Sequence, residues 1–197
     1  MAQDSAKPEF WDARYRGNVT PWDAHGVPAA FAAWVDRLGA KARVLIPGCG
    51  TGYEVRYLAA RGHDVLAIDF SAAAVEAAHR ELGNLARLVQ QADFFTVGGG
   101  PFDAVYERAF LCALPRSLWG DWARRMAKVV RPGGVVAGFF FFDDNAKGPP
   151  FGITPTALEA LLAPDFDRIE DAPVPPTQSI PVFEGKERWQ AWWRKPA

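Results

Sequence analysis

The feature that most constrains this chain is a strand followed by a glycine-rich turn and the start of a helix, in residues 43–54. Branched apolar residues fill the strand up to Pro47, and apolar residues at helical spacing begin at Val55. A side chain in the turn would keep a ligand away from the backbone, and a tight turn can require a positive φ, which glycine adopts readily. The stretch therefore predicts a loop on which a flat, polar ligand lies. The glycines of this loop are Gly48, Gly50 and Gly52.

An acidic residue, Asp69, ends the next predicted strand, Asp64–Asp69. Two carboxylate oxygens can accept from two adjacent hydroxyls of a ribose, which indicates a nucleoside rather than a bare phosphate. The dinucleotide fingerprint would need a glycine where Tyr53 stands, and no P-loop lysine follows the glycines. The loop and the acid together favour S-adenosylmethionine over NAD. An ordinary tight turn without a ligand is the structural alternative.

Length, net charge and hydrophobic pattern limit the number of domains and the classes of partner that this chain can have. A chain of 197 residues predicts a single domain, 1–197, and a net charge of −1 gives no electrostatic footprint for nucleic acid. The longest apolar run, residues 135–142, is too short to span a bilayer, so no membrane partner is expected. The first ten residues lack the apolar core of a signal peptide, which predicts a cytoplasmic protein. By default we expect a monomer, and the expected partner is a small-molecule substrate.

Cysteine usage points to reduced thiols rather than to a metal site. The 2 cysteines, Cys49 and Cys112, are too few and too isolated for a disulfide framework or a zinc centre, so no metal is expected. A redox role for Cys49 is open because this residue lies in the ligand loop.

Large aromatic residues cluster near the amino terminus. Trp11 and Tyr15 are four positions apart, so they share a face of a helix, and Trp22 follows in a turn sequence. Residues 1–26 can be an arm that docks on the core. They can equally be a lid whose aromatic faces hold a sulfonium cation by cation–π attraction.

The rest of the chain alternates predicted strands and helices, which is the pattern of a parallel α/β sheet with right-handed crossovers. The expected helices after the glycine loop are residues 53–60, a helix capped by Ser71 and running to about Arg80, residues 118–130, and a helix capped by Thr154 and running to about Leu162. The further strands expected are residues 87–91, 102–106 and 135–142, closed by an antiparallel pair at 166–169 and 188–194. The tryptophans of this last strand suit a buried core better than RNA stacking.

Two of these strands end in residues that can face a ligand, because open α/β sheets bind ligands at the carboxyl ends of their strands. Asp93 and Phe94 follow the third strand, and Glu107 and Arg108 follow the fourth. Glu107 and Arg108 can form a local ion pair at the rim, or one of them faces substrate or cofactor.

Taken together, these motifs resemble the thiopurine S-methyltransferase family. The resemblance runs in order from about Phe10 to the carboxyl terminus and is specific because all the motifs are in register. The motifs are Phe10-Trp11-Asp12, Arg14-Tyr15, Thr20-Pro21-Trp22-Asp23, Ile46-Pro47-Gly48-Cys49-Gly50-Thr51-Gly52-Tyr53-Glu54, Asp93-Phe94-Phe95, Glu107-Arg108 and Gly148-Pro149-Pro150-Phe151.

The resemblance implies a Rossmann-like class I methyltransferase that converts S-adenosylmethionine to S-adenosylhomocysteine. It implies a seven-stranded, mostly parallel sheet with helices on both faces and an antiparallel last strand. It also implies roles for particular residues. Trp11, Tyr15 and Trp22 would line the cofactor and acceptor pocket, and Gly48, Gly50 and Gly52 would lie against the methionine part of the cofactor. Asp69 would bind the ribose, Asp93 and Phe94 would contact the edge of the adenine, and Arg108 would lie where cofactor and substrate meet.

The acceptor is less sharply defined. The loop Gly48-Cys49-Gly50-Thr51-Gly52 is similar to the thiol and halide methyltransferase branch, whereas Glu107-Arg108 looks like the thiopurine side. We expect a small soft nucleophile such as a thiol, hydrosulfide, halide, selenium compound or thiopurine. Oxygen and nitrogen acceptors, a non-catalytic module that binds S-adenosylmethionine, and an NAD-dependent oxidoreductase are the alternatives.

Transfer of a methyl group from a sulfonium to a soft anion is an in-line displacement, which depends on orientation and exclusion of water. We therefore expect no essential general base and no certain catalytic residue. Arg108, Trp22 and Tyr15 are the candidates for orienting the substrate, and His25, near the aromatic arm, is a further residue that can touch the acceptor.

Overall fold

The computed structural model describes residues 4–196, so the first three residues of the predicted arm lie outside the described part. The helices are α1 (Pro8–Arg16), α2 (Ala29–Val35), α3 (Tyr53–Ala60), α4 (Ala72–Leu82), α5 (Trp119–Val129) and α6 (Pro155–Leu162). The strands are β1 (Arg43–Pro47), β2 (Asp64–Asp69), β3 (Val89–Gln91), β4 (Phe102–Arg108), β5 (Val130–Phe141), β6 (Phe166–Pro173) and β7 (Glu187–Arg194).

The strands form a 7-stranded sheet in the order β3-β2-β1-β4-β5-β7-β6. β1 with β2, β2 with β3, and β4 with β5 are parallel pairs, whereas β7 is antiparallel to both β5 and β6. The predicted class, an α/β fold with a mostly parallel sheet and an antiparallel last strand, is confirmed. The chain divides into two compact units, one ending at Val97 and the other beginning at Gly98. The prediction of a single functional domain with an amino-terminal arm stays a prediction.

In the first unit, β1 is an apolar strand buried from Val44 to Pro47, as a parallel strand covered on both faces should be. The helix that follows β2 begins where the sequence indicates, because the Ser71 side chain accepts a hydrogen bond from the N–H of Ala74 at 3.1 Å. Helix α1 packs against α4. This packing holds the amino-terminal aromatic residues on the first unit.

In the second unit, two of the three tryptophans of β7 are buried and Trp193 is half-buried. Trp189 is 4% exposed and Trp192 is 0% exposed, which confirms the interpretation of β7 as a core strand. At the start of α6, the Thr154 hydroxyl accepts from the N–H of Ala157 at 3.2 Å, the cap expected from the Thr-Pro pair.

Several strand boundaries differ from expectation, and the largest differences are at β3, β5 and β6. β3 begins at Val89 rather than at residue 87, because a 3₁₀ helix, Gly83–Leu88, occupies the preceding residues. β5 begins at Val130 rather than at residue 135: Val130 pairs with Phe102, the register then shifts, and pairing resumes between Val135 and Ala104. β6 runs on to Pro173, since it pairs with β7 along its length.

Candidate active site

The glycine loop has the geometry that its sequence predicts. Gly48, Gly50 and Gly52 have φ values of 60°, 53° and 81°, in the left-handed region that favours glycine. The loop is tied to the neighbouring strand, because the N–H of Cys49 donates to the carbonyl of Ile68 at 3.0 Å. Burial raises the pKa of the Cys49 thiol well above its ordinary value, so the thiol is neutral near pH 7 and poorly suited to redox chemistry.

The carboxylate of Asp69 is fixed at the end of β2 beside this loop. One oxygen accepts from the N–H of Gly50 at 3.2 Å, and the other accepts from the N–H of Ser71 at 2.9 Å. Burial raises the pKa of Asp69 to about 6, although these two N–H groups oppose the shift. Since each carboxylate oxygen has a second lone pair, Asp69 can still accept from two hydroxyls.

The aromatic residues of the arm come together above the loop. A Cβ atom placed on Gly50 would lie 2.7 Å from the Tyr15 hydroxyl oxygen, so only glycine lets Tyr15 approach this closely. The indole N–H of Trp22 donates to the Tyr15 hydroxyl at 3.4 Å. The Trp11 and Trp22 rings meet edge to face, with centroids 5.3 Å apart. Trp11, Tyr15, Trp22 and the glycine loop thus form one cluster.

Two acids for which the sequence predicts no role, Asp12 and Asp23, attach the arm to the start of α4 and to the glycine loop. One oxygen of Asp12 accepts from the Ser71 hydroxyl at 2.6 Å and from the N–H of Ala73 at 3.1 Å. Asp23 accepts from the Thr51 hydroxyl at 2.7 Å. Burial tends to raise the pKa of Asp12, but the hydrogen bonds from Ser71 and Ala73 prevail and the pKa lies below its ordinary value.

Other predicted residues of the first unit are placed as follows. Asp93 is exposed and accepts from the N–H of Phe95 at 2.9 Å, which shapes the turn after β3. Phe94 is buried, at 3% exposure. His25 is exposed, and its backbone N–H donates to the Asp23 carboxylate at 2.8 Å, so it belongs to the turn of the arm.

In the second unit, Glu107 and Arg108 are the last two residues of β4 rather than the residues after it. The guanidinium carbon of Arg108 lies 4.4 Å from the centroid of the Phe139 ring, a cation–π contact with the paired position of β5. Glu107 is 1% exposed, and one of its oxygens accepts from the N–H of Phe110 at 2.9 Å and of Leu111 at 3.1 Å. Burial raises the pKa of Glu107 to about 7, although these N–H groups oppose the shift.

The loop after β5 contains the Gly-Pro-Pro-Phe motif and is held by an arginine that the sequence did not indicate. Arg116 donates to the carbonyls of Asp144 at 3.3 Å, Asn145 at 2.9 Å and Gly152 at 2.6 Å. The N–H of Phe151 donates to the carbonyl of Cys112 at 2.7 Å. The loop is therefore anchored at both ends to the segment that follows β4.

Within residues 4–196, no group of three or more His, Cys, Asp or Glu side chains is arranged to hold a metal ion. In the same part of the chain, no helix combines the length and the apolarity that crossing a membrane would require.

Comparison with known proteins decides the family. The sequence profile of the thiopurine S-methyltransferase (TPMT) family matches residues 6–195. The chain belongs to this family. It is an S-adenosylmethionine-dependent methyltransferase.

Individual proteins similar to this chain include two plant methyltransferases and one bacterial methyltransferase of known structure. The methyltransferase is similar to probable thiol methyltransferase 2 of Arabidopsis thaliana, with 32% identity over 78% of this chain and 71% of the relative. Thiocyanate methyltransferase 1 of Arabidopsis thaliana is 26% identical over 92% of this chain and 83% of the relative. The fold is similar to that of 1,6-didemethyltoxoflavin-N1-methyltransferase of Burkholderia thailandensis, solved with S-adenosylhomocysteine, at a TM-score of 0.74, 20% identity, and 96% and 87% coverage of the two chains.

The residues of the methyltransferase fit its cofactor. The glycine loop leaves a backbone surface on which a side chain would intrude, as the close approach of Tyr15 to Gly50 demonstrates. Asp69 offers a fixed, buried carboxylate of the kind that binds a ribose diol. The fit rests on the loop and the acid, which both lie in the first unit.

Proposed function

We propose that this methyltransferase transfers a methyl group to a small soft nucleophile: a thiol, hydrosulfide, a halide, or a selenium or thiopurine compound. The observation that carries the proposal is the similarity, over most of the chain, to relatives named for thiol and thiocyanate. Such acceptors are polarisable and nucleophilic as anions. Monomeric state and cytoplasmic location stay predictions from the sequence.

The cofactor is held by the first unit in this proposal. Gly48, Gly50 and Gly52 line the methionine part with backbone, and Asp69 accepts from the ribose hydroxyls. The hydrogen bonds from Gly50 and Ser71 support this role, since they leave the Asp69 carboxylate in a single orientation. Asp93 and Phe94, on the turn after β3, bind the adenine edge.

The arm acts as a lid with aromatic walls. Trp11, Tyr15 and Trp22 present ring faces and edges beside the glycine loop, and ring faces attract a cation such as a sulfonium. Asp12 and Asp23 hold the arm in place through Ser71 and Thr51. The lid excludes water from the reacting groups.

The bound cofactor supplies a sulfonium methyl group, which an acceptor attacks in line with the departing sulfur. Arg108 orients an anionic acceptor through its positive charge; its half-buried position at the end of β4 supports this role. Trp22 and Tyr15 limit the directions of approach. For an acceptor that arrives as an anion, the protein contributes orientation and exclusion of water, and no essential general base is required.

The test is the amount of S-adenosylhomocysteine formed by the purified protein with a panel of acceptors. We expect turnover with thiols, hydrosulfide, thiocyanate and iodide, and little with phenols and amines. Turnover with phenols or amines alone would replace the proposal with an oxygen or nitrogen methyltransferase. Tight binding of S-adenosylmethionine without any turnover would indicate a non-catalytic module.

A further inference from the structure

One buried carboxyl group has no part in the mechanism above. Glu107 accepts two backbone hydrogen bonds, but both go to the same oxygen, Oε1. Among residues 4–196, the other oxygen, Oε2, is buried and has no hydrogen-bond partner. An unsatisfied buried carboxylate oxygen is costly, so it is expected where a ligand or a proton completes it.

A small cavity adjoins this carboxyl group. Its volume is about 10 Å³, roughly the space that one water molecule needs. It is lined by Glu107, Leu111, Cys112, Phe139, Phe140, Phe141 and Ile153. These residues come from the carboxyl ends of β4 and β5 and the segments that follow them, which is the sheet edge where α/β proteins bind ligands.

We propose that Glu107 accepts the proton of a neutral S–H acceptor, directly or through one water in this cavity, and so makes the enzyme active on thiols that have not yet ionised. The inference rests on the proposed function and narrows it. An acceptor that is already an anion gains nothing from Glu107. A neutral thiol or hydrogen sulfide must lose a proton before or during methylation, and Glu107 receives it.

The step balances in atoms and charge. The acceptor's S–H bond breaks, its proton passes to Oε2 of Glu107, and its sulfur forms the new bond to the methyl carbon. The bond between that carbon and the sulfonium sulfur breaks, and its electron pair stays on the sulfur of S-adenosylhomocysteine. A cation, a carboxylate and a neutral thiol thus give a neutral thioether, a neutral product nucleoside and a carboxylic acid, which returns its proton to water.

The charges around Glu107 suit this task. Burial raises the pKa of Glu107 to about 7, close to the working pH of a general base. Cys112, on the segment after β4, is itself held neutral because burial and the nearby Glu107 and Glu187 raise the pKa of its thiol. The positive charge nearest in sequence is Arg108, which can stabilise the thiolate as it forms.

The test compares two acceptor classes in Glu107→Gln. For a thiol of pKa near 8.5, about 3% is thiolate at pH 7. Since about half of Glu107 is ionised at that pH, a variant that uses only thiolate should be about 15-fold slower there. The loss should disappear above about pH 9. Methylation of thiocyanate, which carries no proton, should show no such loss at any pH. Equal losses with thiol and thiocyanate, or no loss with either, would overturn the role of Glu107.

Glu187→Gln is the matched control, because it also removes a buried carboxylate of the second unit. Glu187 is 3% exposed, and one of its oxygens accepts from the Ser179 hydroxyl at 2.7 Å and from the N–H of Ile180 at 2.9 Å. Any effect of this variant should be the same for thiol and thiocyanate. A selective loss with the thiol would show that the Glu107 result is not specific.

A readout independent of turnover uses the free protein. With ¹³C-labelled glutamate, the Glu107 side-chain carbon, assigned by its absence in Glu107→Gln, should titrate with a midpoint of about 7. If that variant does not fold, the wild-type spectrum still decides, because an absence of any glutamate midpoint above about 5 would overturn the proposal. A wild-type enzyme that methylates neither acceptor would refute the proposed function instead.

Discussion

At the scale of single residues, the account depends most on Asp69. Asp69→Asn keeps the size of the side chain but removes the charge that accepts from the ribose hydroxyls. Hydrogen bonds to charged groups contribute about 1.5–3 kcal/mol, so we expect binding of S-adenosylhomocysteine to weaken about 10- to 100-fold in a calorimetric titration. Asp64→Asn is the control, because Asp64 begins the same strand and its exposed side chain forms an ion pair with Arg43. Equal affinities of wild type and Asp69→Asn would contradict the ribose role.

The same carboxylate predicts a pH dependence of binding. The pKa of Asp69 is raised to about 6 in the free protein, and the ribose hydroxyls bind the ionised form. Binding therefore favours loss of the proton, and affinity should fall as the pH drops through about 6, by about tenfold at pH 5. Asp69→Asn should lack this dependence. An affinity for S-adenosylhomocysteine that stays constant between pH 5 and pH 8 would remove Asp69 from the site.

The close contact between Gly50 and Tyr15 predicts that a side chain at position 50 disturbs both the glycine loop and the arm. Gly50→Ala places a methyl group 2.7 Å from the Tyr15 hydroxyl and also strains a φ of +53°. Gly62→Ala is matched, because φ is +80° and the new methyl group meets nothing within 4 Å. Both variants should lose about 1–2 kcal/mol of stability in denaturant unfolding. Only Gly50→Ala should also weaken cofactor binding. Equal cofactor affinities in the two variants would contradict the proposal that Tyr15 lines the cofactor site.

At the scale of secondary-structure elements, hydrogen bonds to the Asp12 carboxylate add to the packing of the arm against α4. Asp12→Ala removes the acceptor for the Ser71 hydroxyl and the Ala73 N–H at the start of α4, which should cost about 0.5–2 kcal/mol in chemical denaturation. Helix α1 should then separate from α4 more often, so trypsin should cut faster after Arg14 and Arg16. Glu9→Ala, an exposed change on the same helix, should leave both measurements unchanged. Unaltered proteolysis in Asp12→Ala would mean that other contacts hold the arm.

Elements with strong local signals were predicted with the bounds that the structure has. The glycines that end β1 and precede α3, and the acid that ends β2, act within a few residues of themselves. The start of β5 was not predictable in this way. A Cβ on Gly134 would lie 2.7 Å from the carbonyl oxygen of Asp103, so the irregular pairing there depends on a neighbouring strand.

In the candidate site, too, some features follow from nearby residues in the sequence and others depend on distant ones. The glycine loop, Asp69 and the shared face of Trp11 and Tyr15 could be inferred from spacing alone. The links made by Asp12 and Asp23 could not, because their side-chain partners are 59 and 28 positions away along the chain. The position of Glu107 at the sheet edge was predictable, but its partly unsatisfied carboxylate was not, because burial is a property of the packed fold.

At the scale of the whole molecule, the central claim is that the methyl group ends on a soft nucleophile. The most direct measurement uses S-adenosylmethionine with a deuterated methyl group and follows the label by mass spectrometry in an equal mixture of a thiol, thiocyanate, a phenol and an amine. We predict that the label appears in the methyl sulfide and methyl thiocyanate, with one S-adenosylhomocysteine formed for each methyl group transferred. Label found only in the methylated phenol or amine would contradict the account.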